Sequence, residues 1–234
     1  MPGPARQLSD LVAQARRHGV RDEAVLEAIG RVPRQRFVPR RLASAAFDDG
    51  PLPIGEGQTI SQPAMVAMMA EAARLSPDDR VLEVGTGSGY GALVLRTLAG
   101  RVVTIERRQS LAAKARAALA EHDSGDVNSG DVKVVVGDGT LGWTAEAPYD
   151  AIVVTAAGPA PPPPLLEQLA PGGRLVIPIG PRYGHQHLMR YTRRSQADPD
   201  SSGNGSLGEE YRTERLTPVR FVPLIGAHGY SPER

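Results

Sequence analysis

Val81-Leu82-Glu83-Val84-Gly85-Thr86-Gly87-Ser88-Gly89-Tyr90 is the stretch on which the fold turns. Residues 81–84 are a short apolar run broken by one acid, the pattern of a strand buried in a parallel sheet. Gly85, Gly87 and Gly89 follow at alternate positions, and residues 92–98 then carry helical spacing. Strand, glycine turn and helix make the first half of a nucleotide-binding α/β unit. Glycines let the backbone approach a ligand closely and leave helix N–H groups free to meet it.

The spacing departs from the dinucleotide fingerprint G-x-G-x-x-G, because Tyr90 stands where its last glycine belongs. After the apolar run Val102-Val103-Thr104-Ile105 comes Glu106, an acid at the end of a second strand and placed to meet ribose hydroxyls. A third strand over 132–136 ends in Gly137-Asp138-Gly139, and a fourth is expected over 149–155. These features in this order resemble the S-adenosylmethionine-dependent methyltransferases of the Rossmann-like class. The expected fold is a doubly wound, mostly parallel α/β sheet with helices on both faces.

A chain of 234 residues fits one domain, or one domain with a small addition. Hydrophobic residues make up 41%, enough for a core, and few are aromatic, so Val, Leu, Ile and Ala must build it. The formal net charge of +1 demands no polyanionic partner, and nucleic acid is not expected. With no Cys, disulfides, thiolate zinc sites and Cys nucleophiles are excluded. His185 and His187 would face one way on a strand, but no carboxylate or third ligand is near, so no metal is expected. The first ten residues are polar and proline-broken, unlike a signal peptide, and no apolar run approaches membrane-spanning length. A soluble, cytoplasmic monomer that uses no membrane is the expectation.

Residues 1–50 read as an N-terminal helical appendage. Leu8, Leu11, Val12 and Ala15 mark one face of a helix over 8–18; Asp22 caps a second over 23–29, and Gly30 ends it. The main domain is placed at 51–226. In it, helices are expected over 64–75, 111–120 and 165–169, a flexible loop over 121–131, a turn at Gly172-Gly173, and strands over 174–179 and 219–224. Trp143 reads as a partly buried packing residue. Residues 195–210 are polar and glycine-dotted, a disordered insertion by composition, and 227–234 form a polar, mobile tail.

Pro51-Leu52-Pro53-Ile54-Gly55 and then Gly57-Gln58-Thr59-Ile60-Ser61-Gln62-Pro63 form the second informative stretch. Glycines and prolines exclude a helix before residue 56, and Pro63 starts one. By residue type alone, Ser61 reads as that helix's cap. The block also resembles the signature of the protein-L-isoaspartate O-methyltransferases. The resemblance extends through Phe37-Val38-Pro39, the 81–90 turn, Thr104-Ile105-Glu106-Arg107, residues 137–143 and 147–157, Gly172-Gly173-Arg174 and Arg220-Phe221-Val222-Pro223-Leu224. It covers nearly all of 31–226.

The resemblance implies methyl transfer from S-adenosyl-L-methionine to the α-carboxylate of isoaspartyl residues in damaged proteins and peptides, which starts repair through a succinimide. It implies Ser61 as the catalytic residue, orienting the substrate carboxylate, with Val222 lining the peptide's path. Thr59 and Ile60 would touch the cofactor. Glu83 with Gly85, Gly87 and Gly89 would face its methionine part, Glu106 its ribose, and Asp138 with Gly139 its adenine edge. The chemistry asks for alignment more than for side-chain acids and bases. The electrophile arrives activated and a carboxylate is already ionised at neutral pH. Two positions depart from the pattern of some relatives: Ala64 stands in place of His, and Ile225 in place of Thr. The competing readings are a dedicated methyltransferase that esterifies an ordinary Asp in one peptide, and a non-catalytic adaptor on the same fold.

Overall fold

The computed structural model describes residues 4–123, 132–195 and 210–232. Helices α1 (Pro4–Arg17) and α2 (Glu23–Arg31) open the chain, followed by strands β1 (Leu52–Gly55) and β2 (Gln58–Ile60) and helix α3 (Pro63–Ala73). Strands and helices then alternate: β3 (Arg80–Val84), α4 (Tyr90–Leu98), β4 (Arg101–Glu106), α5 (Gln109–Asp123) and β5 (Val132–Val136). After these come β6 (Tyr149–Val154), α6 (Pro163–Glu167), β7 (Leu169–Ile179), β8 (Gln186–Arg193) and β9 (Tyr211–Val219).

Seven strands form one sheet in the order β5-β4-β3-β6-β7-β8-β9. The five from β5 to β7 are parallel, and β8 and β9 add antiparallel at one edge. β3 lies inside this sheet, with Val81 and Leu82 fully buried and Val84 nearly so. Burying each such side chain stabilises the fold by about 1.5–3 kcal/mol, which explains why this short run holds the middle. Apolar side chains fill both faces of the sheet in two clusters.

The N-terminal helices are part of this packing. Leu11, Ala15, Leu26 and Ile29 share a core cluster with Leu93 and Val94 of α4. Asp22 caps α2 as expected, accepting from Ala24 N and Val25 N. Gly30 does not end α2. It lies within the helix, where an added Cβ would sit 3.2 Å from Val12 Cγ2, so its smallness serves the approach to α1.

Other expectations also shift. Residues 52–60 pair as an antiparallel hairpin. Gly172-Gly173 makes no turn between elements; it lies inside β7, where the pairing with β6 slips between Tyr149↔Leu169 and Ala151↔Arg174. The final strand ends at Val219, and residues 220–224 run on as extended chain with an isolated bridge from Pro223 to Ala157. β9 has an exposed, polar burial pattern, so it carried no hydrophobic signal. Trp143 packs partly buried against the second cluster, with Lys133 Nζ 5.5 Å from its ring centroid. His185 lies outside β8, and His187 turns to Arg215. Most of the expected loop over 121–131 and of the insertion over 195–210 lies outside the described residues. Up to Asp123 the chain is helical. Among the described residues no group could hold a metal ion, and no helix is long and apolar enough to cross a membrane.

Candidate active site

Strand order reverses between β3 and β6, and in open α/β sheets ligands bind in the crevice outside the carboxyl ends of the strands at such a point. A cleft of about 590 Å³ opens there. One wall comes from the strand ends: Glu83, Gly85, Gly87, Glu106, Gly139 and Thr155. The opposite wall comes from Thr59 and Ile60 of the hairpin and from Ser61 just after it, together with Val222 to Ile225.

Backbone forms much of the first wall. Gly85 has φ +101°, outside the range comfortable for a side chain, and a Cβ there would lie 2.3 Å from Thr155 Oγ1. That hydroxyl donates to Gly85 O at 2.8 Å and ties the turn to β6. At Gly139 a Cβ would fall 2.4 Å from Val84 Cγ1, so no larger residue fits this floor.

Two acids stand at the strand ends. Glu106 is 6% exposed and accepts from Gly87 N at 2.9 Å and from Arg108 N at 2.9 Å, one bond to each oxygen. The carboxylate is thereby fixed against the turn. Glu83 is 1% exposed; its Oε2 accepts from Thr104 Oγ1 at 2.6 Å, and that hydroxyl is in turn bonded to Thr86 Oγ1 at 2.6 Å. Burial pushes the Glu83 carboxyl up to about 8, against the opposing pull of the Thr104 bond, and the charge of Glu106 raises it further. At neutral pH Glu83 is therefore mostly protonated.

Ser61 sits between β2 and α3. The N-cap of α3 is Gln62, not Ser61, and it makes no side-chain cap bond. The Ser61 hydroxyl is thus not used as a helix cap, and its residue lines the cleft. Its carbonyl accepts from Arg34 Nη2 at 3.0 Å.

Gly89 and Asp138 are not brought to the cleft wall. Gly89 starts α4, and a Cβ there would press on Leu119 and Ala115 of α5, so its smallness serves packing. Asp138 caps the short turn after β5. Its Oδ1 accepts from Thr140 N and Oγ1, at 2.9 and 2.7 Å, and its Oδ2 from Ala227 N at 2.7 Å. Though partial burial opposes it, these bonds hold its carboxyl below the usual range. The residue departures fall on both sides of the site: Ala64 is fully buried in α3, and Ile225 lines the cleft beside Val222.

Sequence reasoning passed over Glu56, Tyr90, Arg182 and Tyr183, all on the cleft. Glu56 at the hairpin tip accepts from Arg108 Nη1 and Ser110 Oγ, both at 2.9 Å. A hairpin of such short strands leaves no periodic signal, so its tip could not be placed. Arg182 lies in the β7–β8 connection, far in sequence from the rest.

The cleft's volume falls in the range of small-molecule sites, and its glycine floor and buried Glu106 suit a nucleoside. A second nucleotide would require a glycine where Tyr90 stands fully buried. Fold and cleft together define a Rossmann-like S-adenosylmethionine-dependent methyltransferase.

Residues 6–229 match the family described as protein-L-isoaspartate(D-aspartate) O-methyltransferase (PCMT). The chain is 52% identical over 212 residues to protein-L-isoaspartate O-methyltransferase 1 of Geotalea uraniireducens (strain Rf4), covering 91% of this chain and 89% of that one. It is 51% identical over 228 residues to the enzyme of the same name from Rhodopseudomonas palustris (strain HaA2), covering 97% and 86%. Among solved structures, a protein-L-isoaspartate O-methyltransferase superposes with a TM-score of 0.77 at 26% identity, covering 95% of this chain and 67% of that one. A β-aspartate methyltransferase (PCMT) from Plasmodium falciparum, in complex with S-adenosyl-L-homocysteine, gives 0.74 at 25% identity, covering 92% and 96%. The chain belongs to the protein-L-isoaspartate(D-aspartate) O-methyltransferase family, and its cofactor is S-adenosyl-L-methionine.

Proposed function

We propose that this chain methylates the α-carboxylate of L-isoaspartyl residues in proteins and peptides, with Ser61 orienting the acceptor. The carrying observation is that Ser61, its hydroxyl not used as a helix cap, lines the same cleft as the glycine turn and Glu106. When bound, the cofactor supplies a methyl group already activated on a sulfonium. Glu106 and the Gly85-to-Gly87 backbone would hold its ribose and methionine portions, Glu83 backs the turn, and Gly139 gives the base room. Thr59 and Ile60 close over it from the hairpin.

The acceptor carboxylate is ionised at neutral pH, so no general base is required of the protein. The residues' task is placement, and placement of two reactants is worth up to roughly 7–11 kcal/mol in the best intramolecular cases. The Ser61 hydroxyl donates to the carboxylate, while Val222 and Ile225 line the peptide's path with apolar surface. The resulting ester carries a leaving group, methoxide, that the ionised carboxylate lacks. Attack by the following backbone nitrogen closes a succinimide and expels methanol, and hydrolysis returns some normal aspartate.

The absence of a nucleic-acid partner belongs to the same proposal, motivated by the near-zero net charge, and a monomeric, cytoplasmic setting is proposed with it. The test is incorporation of labelled methyl into one hexapeptide made with isoaspartate and again with aspartate. Incorporation into the isoaspartyl version alone is expected. Preference for the aspartyl version would point to dedicated methyl esterification of an ordinary Asp, and incorporation into neither would sink the proposal.

A further inference from the structure

Arg34 is fully buried, one of the largest side chains so enclosed among the described residues. Its guanidinium donates to four carbonyls: Nη1 to Ala46 O at 2.8 Å and Asp48 O at 3.4 Å, Nη2 to Gly50 O at 2.8 Å and Ser61 O at 3.0 Å. Among the described residues its Nε has no partner. No carboxylate pairs with it among them either; the groups that act on its charge, after burial, are the Tyr90 phenol, then Asp49 and Asp48.

A cation enclosed with carbonyl partners alone is costly, since dipoles offset its desolvation only in part. A sequence optimised for packing would place an apolar side chain here. What the cation touches explains its retention. Ser61 falls between the β2 ladder and the first turn of α3, in neither. Its carbonyl bond to Arg34 is its polar tie to the N-terminal segment. The following helix also lacks a side-chain cap that could fix the entry. A planar fork with fixed donor directions suits this task, and a lysine's single ammonium would not reproduce it.

We infer that Arg34 is a positioning residue for methyl transfer: it fixes the Ser61 loop through the Ser61 carbonyl and sets a buried positive charge behind the place where the acceptor carboxylate is oriented. This rests on the reading of Ser61 given above. It gives the N-terminal segment a part in the reaction, through a side chain that never meets the substrate.

The decisive measurement is a double-mutant cycle with Arg34→Lys and Ser61→Ala, scored by kcat and KM on an isoaspartyl hexapeptide. S-adenosyl-L-homocysteine affinity is read by calorimetry and Tm by near-ultraviolet dichroism. Arg34→Lys is expected to lower kcat/KM about tenfold in the natural background and less than about twofold in the Ser61→Ala background, because both changes act through one hydroxyl. Affinity for the homocysteine product should stay within about threefold, and the Tm loss should be the same in both backgrounds. A purely structural Arg34 would lower activity by equal factors in both backgrounds, and that result overturns the assignment. Arg34→Gln, which removes the charge as well, should fall below Arg34→Lys in kcat/KM; an equal value would remove the electrostatic part. If neither variant keeps a native spectrum, Arg34 is a residue of the fold alone and the inference fails. Full activity in Ser61→Ala would instead strike the reading of Ser61 beneath it.

Discussion

Glu106 and Glu83 stand one strand apart at the same end of the sheet, yet their environments set them opposite tasks. Glu106 is braced by two backbone N–H groups, which aim it into the cleft. Replacing it with alanine removes a charged acceptor, so S-adenosyl-L-homocysteine affinity should weaken by about 1.5–3 kcal/mol by calorimetry. An unchanged dissociation constant would free Glu106 of the ribose. Glu83 is buried with one hydroxyl partner, and its carboxyl titrates near 8 instead of near 4.5. The folded state therefore keeps a proton that the unfolded chain gives up. Its relative stabilisation is complete below about pH 4.5 and is lost as pH rises toward 8, at a slope of at most about 1.4 kcal/mol per pH unit. In cofactor-free protein, Glu83→Gln should flatten the fall of Tm between pH 5 and 8. Parallel Tm curves for the two proteins would mean that Glu83 is ionised in the fold.

The hairpin of β1 and β2, a separate two-stranded sheet, carries Thr59 and Ile60, and Ser61 just after them, to the cleft. Its turn residues Glu56 and Gly57 have φ +55° and +68°, the two positive angles of a tight hairpin turn. Two such short strands are marginal alone, and the tip is tethered by Glu56 to Arg108 and Ser110. Gly57→Ala should cost about 1 kcal/mol, felt locally. Amide exchange over 52–60 should quicken while exchange in β3 and β4 holds, and turnover should fall with it; uniform quickening would show that the hairpin is bound into the global unit. The same element marks where sequence reading stops. β3, β4 and β6 were legible because burial on both faces forces continuous apolar runs, and Glu106 was legible because the strand–turn–helix unit fixes its distance from Gly85. The hairpin has too few residues for a period. Ser61 carried two meanings until the structure gave the cap position to Gln62. Asp138, read as facing the adenine, is bonded to Thr140 and to Ala227, the second a contact across 89 positions that no local pattern could disclose.

At the scale of the whole molecule, the chain's last described residues close back on the site. Ala227 N donates to Asp138 Oδ2 at 2.7 Å, His228 N to Thr140 Oγ1 at 3.1 Å, and Tyr230 N to Leu224 O at 2.7 Å. The Tyr230 hydroxyl donates to Gly180 O, and Arg182 Nη1 donates to Ser231 O at 2.9 Å beneath the Tyr230 ring. The segment read as a mobile tail is thus held through residue 231, and it joins the β5 end, the β7–β8 connection and the extended chain at 222–225. Among the described residues none of the buried apolar core lies beyond Leu224, so a chain ending at Gly226 should still fold. Each of the five lost bonds is worth about 1 kcal/mol, and the Tm should fall on the order of 10–20 °C. The joined elements make the wall with Val222 and Ile225, away from Glu106. Truncation should therefore raise KM for an isoaspartyl peptide several-fold while the homocysteine product binds nearly as before. If product affinity drops as far as peptide affinity, the segment braces the entire cleft instead of the acceptor wall.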